Sequence, residues 1–287
     1  MTSPPPHHRT WEYLLPAPQS VDGDVYVTPQ YLAGSSGDSG TGFTPLAGWP
    51  HHHLDDGPHQ LVVTSPDHRI RIGWAGDDYD LWTISAARDA MSQAVWTAVA
   101  NQNTPHELVT ALTTALARDW QDGQDRFLDR PRARLDGIAP LVDAGWTVGP
   151  VRRGVLRVTA PDGQAGADID VVHPLAEAAI TLWAGPEGWG TRAEITFSDQ
   201  SPTHLIAATA TAFTDPAPVP RWRSALDPRL IRHATLTSVE PPKKPTPTPR
   251  DIRPRIASRP ARPVGSVPRW STTTPSAPLP ARPAARR

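Results

Sequence analysis

An internal repeat constrains the fold of this chain more than any other feature of its sequence. Four short segments recur in the same order at a spacing of about 97 residues. The matched segments are Ala47–Trp49 with Ala144–Trp146, Leu61–Asp67 with Leu156–Asp162, Leu81-Trp82 with Leu182-Trp183, and Thr104-Pro105 with Ser201-Pro202. Four matches in one order are hard to obtain by chance. The sequence therefore predicts two copies of one module, each of roughly 100 residues.

Each copy carries the same succession of strand signals. Apolar and polar residues alternate around Leu61 and Val63 in the first copy and around Leu156 and Val158 in the second, which is typical of half-buried strands. The same alternation surrounds Ile70, Ile72 and Trp74, and then Ile169 and Val171. Further strands are predicted over residues 80–84, 92–99, 179–184 and 192–197.

A helix is predicted to close each copy. Thr104-Pro105-His106-Glu107 has the pattern of a helix start, with Thr104 as the N-cap and Glu107 completing a capping box. Ser201-Pro202 begins the second helix likewise, without the glutamate. Residues spaced along one helix face follow in both copies: Leu108, Val109, Leu112, Ala115 and Leu116, then Leu205, Ile206, Thr209, Ala212 and Phe213. A shorter helix is predicted over residues 135–144.

The fold class that follows is α+β: two tandem repeats of a mostly antiparallel sheet, each with a packed C-terminal helix. The predicted division is a flexible arm at residues 1–22, a first module at 23–130, a second at 131–238 and a tail at 239–287. The tail is proline-rich and is predicted to be disordered, since it offers few apolar side chains to offset the entropy of ordering. Residues 34–42, Gly-Ser-Ser-Gly-Asp-Ser-Gly-Thr-Gly, are predicted to form a flexible loop.

The net charge of −1 conceals a strong asymmetry. Residues 240–287 carry eleven Lys and Arg against two Asp and Glu, so the other 239 residues carry 17 basic and 27 acidic side chains. Arginines interleaved with proline suit the phosphates of a nucleic acid, and an indole suits base stacking. The predicted contacts with a protein or nucleic-acid partner are Arg250, Arg253, Arg255, Arg259, Arg262, Arg269 and Trp270. Docking on the acidic body, recognition of polyproline by a partner, and a solvated linker remain alternatives.

The short segments that repeat also resemble a known family, the SPDY-motif domain. The resemblance rests on Tyr31-Leu32-Ala33-Gly34, the Ala-Gly-Trp triplets, Ser65-Pro66-Asp67, Trp82 and the Thr-Pro and Ser-Pro helix starts. The sequence departs from the family at His68, where a tyrosine is expected, and at Ala160-Pro161-Asp162-Gly163. The resemblance implies an actinobacterial domain of unknown function that often occurs in several copies. It implies no activity.

The chain has eleven tryptophans, and the repeat separates those that have a counterpart in the other copy from those that do not. Trp49 and Trp146, and likewise Trp82 and Trp183, are predicted to be equivalent core residues. Trp120, Trp189 and Trp222 have no counterpart, and exposed together they would mark an interaction surface.

Chemistry at a metal or a nucleophile has little support in the sequence. The absence of cysteine excludes disulfides, thiolate zinc sites and cysteine nucleophiles. His51, His53 and Asp55 are candidate metal ligands, with His51 and His53 in the run His51-His52-His53. The sequence favours an interpretation without a metal, because the three consecutive side chains alternate in direction along an extended segment and cannot all reach one ion. No cofactor is predicted. With no apolar run long enough for a signal peptide or a membrane span, a cytoplasmic location is expected.

The function expected from the sequence is therefore a non-catalytic interaction or adaptor protein. Two modules would form an acidic scaffold, and the basic tail would contact the partner. The alternative is an enzyme with an Asp/His site in the cleft between the two modules. A monomer or weak dimer is expected, without membrane contact.

Overall fold

A computed structural model describes the chain over residues 23–35, 40–54, 60–75, 81–131, 133–173, 176–188 and 190–239. All of these residues belong to one compact unit. The predicted arm, 1–22, and the tail from residue 240 lie outside the described residues. No helix in the described ranges combines the length and apolar character needed to cross a lipid bilayer.

The described residues form a mixed structure of antiparallel sheets and helices. The strands are β1 Val25–Thr28, β2 His51–His53, β3 Gln60–Thr64, β4 Ile70–Ala75, β5 Trp82–Ala87, β6 Ala94–Ala100, β7 Thr147–Val148, β8 Val155–Thr159, β9 Ala165–Asp170, β10 Ile180–Ala184, β11 Ala193–Phe197, β12 Val219–Arg221 and β13 Thr235–Ser238. The α-helices are α1 Gly40–Phe43, α2 His106–Asp122, α3 Ala139–Asp143, α4 Thr203–Thr214 and α5 Pro228–Ile231. The predicted α+β class is confirmed at this level.

Ten of the strands form a single sheet. Their order is β2-β3-β4-β5-β6-β11-β10-β9-β8-β7, and every neighbouring pair is antiparallel. Two five-stranded meanders therefore meet in the middle, where β6 pairs with β11 through Ala98 opposite Phe197 and Ala100 opposite Ile195. The segments predicted as separate modules thus share one sheet, and the boundary at residue 130 stays a prediction.

The helices cover only one face of this sheet. The apolar side chains of α2 and α4 join those of the strands in one core; they include Val63, Ile72, Ile84, Leu108, Leu112, Val158, Leu182, Ile195, Leu205 and Phe213. Cross-strand partners share a face, and successive residues alternate between faces. The residues between these apolar positions therefore point to the other side. None of the described helices packs there.

Strands from the two ends of the described part of the chain form a second, smaller sheet. Its order is β12-β1-β13, and it encloses a separate cluster of Val25, Val27, Val219 and Leu226. Tyr31 fixes the segment after β1: its hydroxyl donates to the Asp162 carboxylate at 2.6 Å, and its ring stacks on Phe213 at 6.2 Å. Burial, helped by the bond to Asp162, raises the pKa of Tyr31, so the phenol stays protonated.

The capping box predicted for α2 is wrong. The helix begins at His106 with Pro105 as its N-cap, and no side chain caps it. Glu107 is held elsewhere, because both terminal nitrogens of Arg221 on β12 donate to its carboxylate at 2.8 and 2.6 Å. Arg221 is only 5 % exposed, so this ion pair ties the small sheet to the helix in a mostly buried setting.

Two other local predictions need correction. The predicted loop over residues 34–42 includes the start of α1, and Gly42 there lies so close to Trp82 that a Cβ would be 2.5 Å from the ring. The short helix predicted over 135–144 is a 3-10 turn, Arg134–Ile138, followed by α3.

Trp82 and Trp183 do not occupy equivalent places. Trp82 pairs with Trp74 and faces the helices, whereas Trp183 pairs with Gly166 and faces the other side of the sheet. A shift of one residue in a strand alignment reverses the face of every side chain. Trp183 is buried as expected, at 5 % exposure, but the prediction that it is equivalent to Trp82 is wrong.

Replacing Glu107 tests the buried ion pair. Burial alone would raise the pKa of Glu107, but hydrogen bonds from His106 and Arg221 outweigh it and lower the pKa to about 2. Because the folded pKa lies below the usual value, this stabilisation is present above about pH 4.5 and is lost as the pH falls towards about 2. We expect Glu107→Gln to lower the free energy of unfolding by about 3 kcal/mol at pH 7. Urea unfolding between pH 7 and pH 3 should show this difference shrinking.

The exposed Glu177 supplies the control, since Glu177→Gln removes a carboxylate with no hydrogen bond or ion pair among the described residues. Parallel stability curves for Glu107→Gln and the unaltered protein across this pH range would contradict the assignment.

Candidate functional site

The helix-free face of the ten-stranded sheet is polar in its centre. Thr83 lies opposite Val99, Ser85 opposite Thr97, and Thr181 opposite Thr196 on this side. Hydroxyl groups and short side chains suit a solvated surface rather than a second core. We call this side of the sheet the open face.

A groove of about 550 Å³ lies at one end of the open face. Its lining includes Arg152, Arg153, Arg157 and the hydroxyl-bearing Thr147 and Thr159. The surface is strongly basic for an otherwise acidic body.

A tight turn sets the direction of two of these arginines. The backbone N–H of Arg152 donates to the carbonyl of Val155 at 2.9 Å, and the reverse bond is 3.0 Å. The two central residues have positive φ, 51° at Arg153 and 80° at Gly154, which is the turn that suits a two-residue hairpin. Arg152 and Arg153 are both exposed at its tip, and neither forms an ion pair within the described residues.

Trp183 lies beside the groove under two guanidinium groups. The guanidinium carbon of Arg192 is 4.3 Å from the ring centroid, and that of Arg157 is 5.6 Å away. The indole rests on Gly166 of the neighbouring strand, where a Cβ would be 2.4 Å from its Cζ2 atom. Glycine at this position therefore lets the large ring lie flat on the sheet, where it is only 5 % exposed.

Acidic side chains balance these two cations in part. Arg157 donates from Nε and a terminal nitrogen to the Asp168 carboxylate, both at 2.7 Å, and these bonds raise the pKa of Arg157. Arg192 is 3.6 Å from Glu187, which is 77 % exposed. With Arg152 and Arg153, four guanidinium groups lie on one part of the surface. Such an arrangement can bind anions, and we call these four arginines with Trp183 the arginine cluster.

Two of the three candidate metal ligands belong to the described residues. His51 and His53 lie on β2 with Val63 and Leu61 as cross-strand partners, and Asp55 lies outside the described residues. Burial lowers the pKa of His51, and its Nδ1 contacts the carbonyl oxygen of Trp49 at 2.6 Å. No group of three or more His, Asp or Glu side chains in the described ranges could hold a metal ion.

The contacts predicted in the tail lie outside the described residues and stay a prediction. They are Arg250, Arg253, Arg255, Arg259, Arg262, Arg269 and Trp270. Of the unmatched tryptophans, Trp120 packs on Trp49 at 5.6 Å, whereas Trp222 is 54 % exposed. Trp189 is outside the described residues, so the interaction surface suggested for these three has no support.

An Asp–His pair joins the two long helices. His204 Nε2 on α4 is 2.5 Å from Asp119 Oδ2 on α2, and Asp119 is 2 % exposed. His204 also lines a groove of about 360 Å³ together with Asp129, Asp136 and Thr203. The sequence analysis missed this pair and the arginine cluster. The run Arg152-Arg153-Gly154 was a visible signal, but its position at a hairpin tip was not.

Comparison with known protein families gives a match over part of the chain. Residues 64–120 match the model of the SPDY family, which is described as a domain of unknown function (DUF317). The match extends from the last residue of β3 through most of α2. No curated protein and no solved structure matches the chain.

Substitution of Gly166 tests the close packing of the Trp183 indole against this residue. We expect Gly166→Ala to lower the free energy of unfolding by about 1–3 kcal/mol, because its Cβ would meet both the Trp183 ring at 2.4 Å and the Val158 carbonyl at 2.5 Å. Urea unfolding followed by near-ultraviolet circular dichroism measures both stability and the indole environment. Gly48→Ala is the control, since a Cβ at Gly48 would meet nothing within 4 Å. Equal effects of the two substitutions would contradict the close packing at Gly166.

Proposed function

We propose that the protein is a non-catalytic interaction protein that binds nucleic acid through the arginine cluster and the arginine- and proline-rich tail. The observation that carries the proposal is the concentration of Arg152, Arg153, Arg157 and Arg192 on the open face. Guanidinium groups bind phosphate oxygens in bidentate geometry, and an antiparallel sheet offers a flat surface along which a single strand can lie. A cytoplasmic location, an actinobacterial origin and a monomeric or weakly dimeric state are further parts of the proposal.

The strand order supports a tandem duplication as the origin of this scaffold. Strands β2–β6 and β7–β11 occur in mirrored order on either side of the β6–β11 pair. When the cross-strand partners of the two halves are aligned, Val63 corresponds to Val158 and Ile84 to Leu182. The face covered by the helices is therefore apolar in both halves. We propose that residues 23–130 and 131–238 are the two copies.

The open face does not repeat in the same way. The register places Val62, Gly73 and Ser85 in the first half where Arg157, Asp168 and Trp183 lie in the second. Since one half of the sheet forms without these side chains, the fold does not require them. This asymmetry favours a binding role for the arginine cluster.

Charge argues for cooperation between the cluster and the tail. Outside residues 240–287, acidic side chains outnumber basic ones by 27 to 17, and that excess repels a polyanion. The basic tail offsets this repulsion and adds phosphate contacts, so binding should depend strongly on salt.

Binding of a fluorescent oligothymidylate tests the proposal by anisotropy at graded salt concentrations. For single strands the logarithm of the affinity falls by about 0.7 per phosphate contact and per decade of salt. We expect Arg152→Ala with Arg153→Ala to reduce that slope by about 1.4. A full-length variant with six tail arginines replaced by Gln should show a larger reduction of this slope. The six positions are 250, 253, 255, 259, 262 and 269.

The exposed Arg118 on α2 provides the matched control, because Arg118→Ala removes one charge from the helical side. The proposal would be contradicted if Arg152→Ala with Arg153→Ala left the slope unchanged, or if the unaltered protein did not bind the oligothymidylate. Binding only to a protein partner would reassign the cluster to the other class of ligand.

The Asp119–His204 pair favours a second candidate, an enzyme with its site between the halves. A carboxylate orients an imidazole as a general base in many hydrolases. The observation in its favour is the 2.5 Å contact beside the groove lined by Thr203. Turnover of p-nitrophenyl esters and phosphates, abolished in His204→Asn, would support it. Identical rates for the variant and the unaltered protein would remove it.

A further inference from the structure

Two hydrogen-bond donors in the arginine cluster are enclosed without an acceptor. They are the Trp183 indole Nε1 and the Arg192 Nε, and neither has a partner among the described residues. Leaving a buried donor unpaired is unfavourable, and such groups are uncommon in folded proteins. Both belong to the same stack, with the guanidinium 4.3 Å from the indole centroid. One acceptor group placed there could satisfy both.

The charge around the indole points to an anionic acceptor. Arg157 and Arg192 place two cations around one ring, where they repel each other. Their acidic partners are only partly buried: Asp168 is 26 % exposed and Glu187 is 77 % exposed. An anion between the two guanidinium groups would remove the repulsion.

The number of donors favours one kind of anion over another. An indole N–H, the Nε–H of Arg192 and the terminal N–H groups of Arg157 approach from different side chains. A carboxylate presents two oxygens in one plane, whereas a phosphate group presents at least three acceptor oxygens in a tetrahedral arrangement. The donor set therefore fits phosphate better than carboxylate.

We infer that Trp183, Arg192 and Arg157 form a seat for a phosphate group. The inference rests on the proposed function and names the group that the open face receives. In the seat, Trp183 Nε1 and Arg192 Nε donate to phosphate oxygens, and Arg157 closes over the group. The ligand class is a phosphate mono- or diester, and its sources are the backbone of a single-stranded nucleic acid or a free phosphate.

Entry to the seat requires movement of Arg157, and the present contacts allow it. The Arg157 side chain is 50 % exposed, and its pair with Asp168 is a surface ion pair of a kind that contributes little net stability. Exchange of Asp168 for phosphate replaces one bidentate partner by another. Arg157 also lines the groove with Arg152 and Arg153, so a strand with one phosphate in the seat can continue along that groove.

The Trp183 indole proton reports on the seat directly. Full-length protein labelled with 15N-tryptophan should give eleven indole resonances, and Trp183→Phe identifies the one from Trp183. Inorganic phosphate, thymidine monophosphate and oligothymidylate are the three probes. We expect each probe to shift the Trp183 resonance saturably, with the oligothymidylate binding tightest.

Substitutions in the seat should weaken this response selectively. Arg192→Gln and Arg157→Ala should each raise the phosphate concentration needed for half of the shift by about tenfold or more, as expected for loss of a charged hydrogen bond. Arg118→Ala should leave it unchanged. Circular dichroism of each variant checks that the protein remains folded.

The outcomes separate this inference from the proposed function. A Trp183 resonance that no probe shifts, or a shift equal in Arg192→Gln and the unaltered protein, overturns the seat. If oligothymidylate still binds by anisotropy without that shift, the seat is wrong and nucleic-acid binding stands. If inorganic phosphate shifts the resonance but oligothymidylate does not bind, the seat stands with free phosphate as its source, and the proposed function falls.

Discussion

Pairing between β6 and β11 is the contact on which the rest of the structure depends. It joins two five-stranded meanders into one sheet, and it places Ala98 and Ala100 against Phe197 and Ile195 beneath the helices. Without it each meander would expose the backbone groups of an edge strand in the middle of the present sheet. Because α2 and α4 pack side by side on the joined sheet, one face is buried and the other is left open.

The two faces of the sheet are under different packing constraints. On the covered face, the positions related by register stay apolar in both halves, since they must fill one core. On the open face no packing partner among the described helices restricts the side chains. The second half can therefore carry Arg157, Asp168 and Trp183 where the first carries Val62, Gly73 and Ser85, and the surface gains charge without loss of the fold.

Strong local patterns let the sequence predict much of the regular structure. Alternation around Ile70 and Ile72 indicated β4, and the spacing from Leu108 to Leu116 indicated the buried face of α2. Long-range contacts were beyond such patterns. Glu107 bonds to Arg221, 114 residues away, instead of capping its own helix, and β1 finds its partners in β12 and β13 near the other end of the described chain.

The candidate site was harder to predict, for a physical reason. A strand carries side chains on both faces, so the face of Trp183 depends on the register. The register relates Trp183 to Ser85, three residues from the apparent match with Trp82, and a shift by an odd number of residues reverses the face. The exposed arginines of Arg152-Arg153-Gly154 were visible in the sequence, but their use depends on a two-residue turn with positive φ at Arg153. The contact between Asp119 and His204 joins α2 to α4 through two residues that are 85 positions apart in the chain.

In the proposed mode of binding, the partner lies on the open face of the sheet, at the arginine cluster. Hydrogen exchange of the full-length protein, followed by mass spectrometry with and without oligothymidylate, tests it most directly because it locates protection by peptide. We expect slower exchange in peptides covering residues 147–159 and 181–194, with exchange in α2 and α4 unchanged. Protection confined to the helices, or none in residues 23–239, would contradict it.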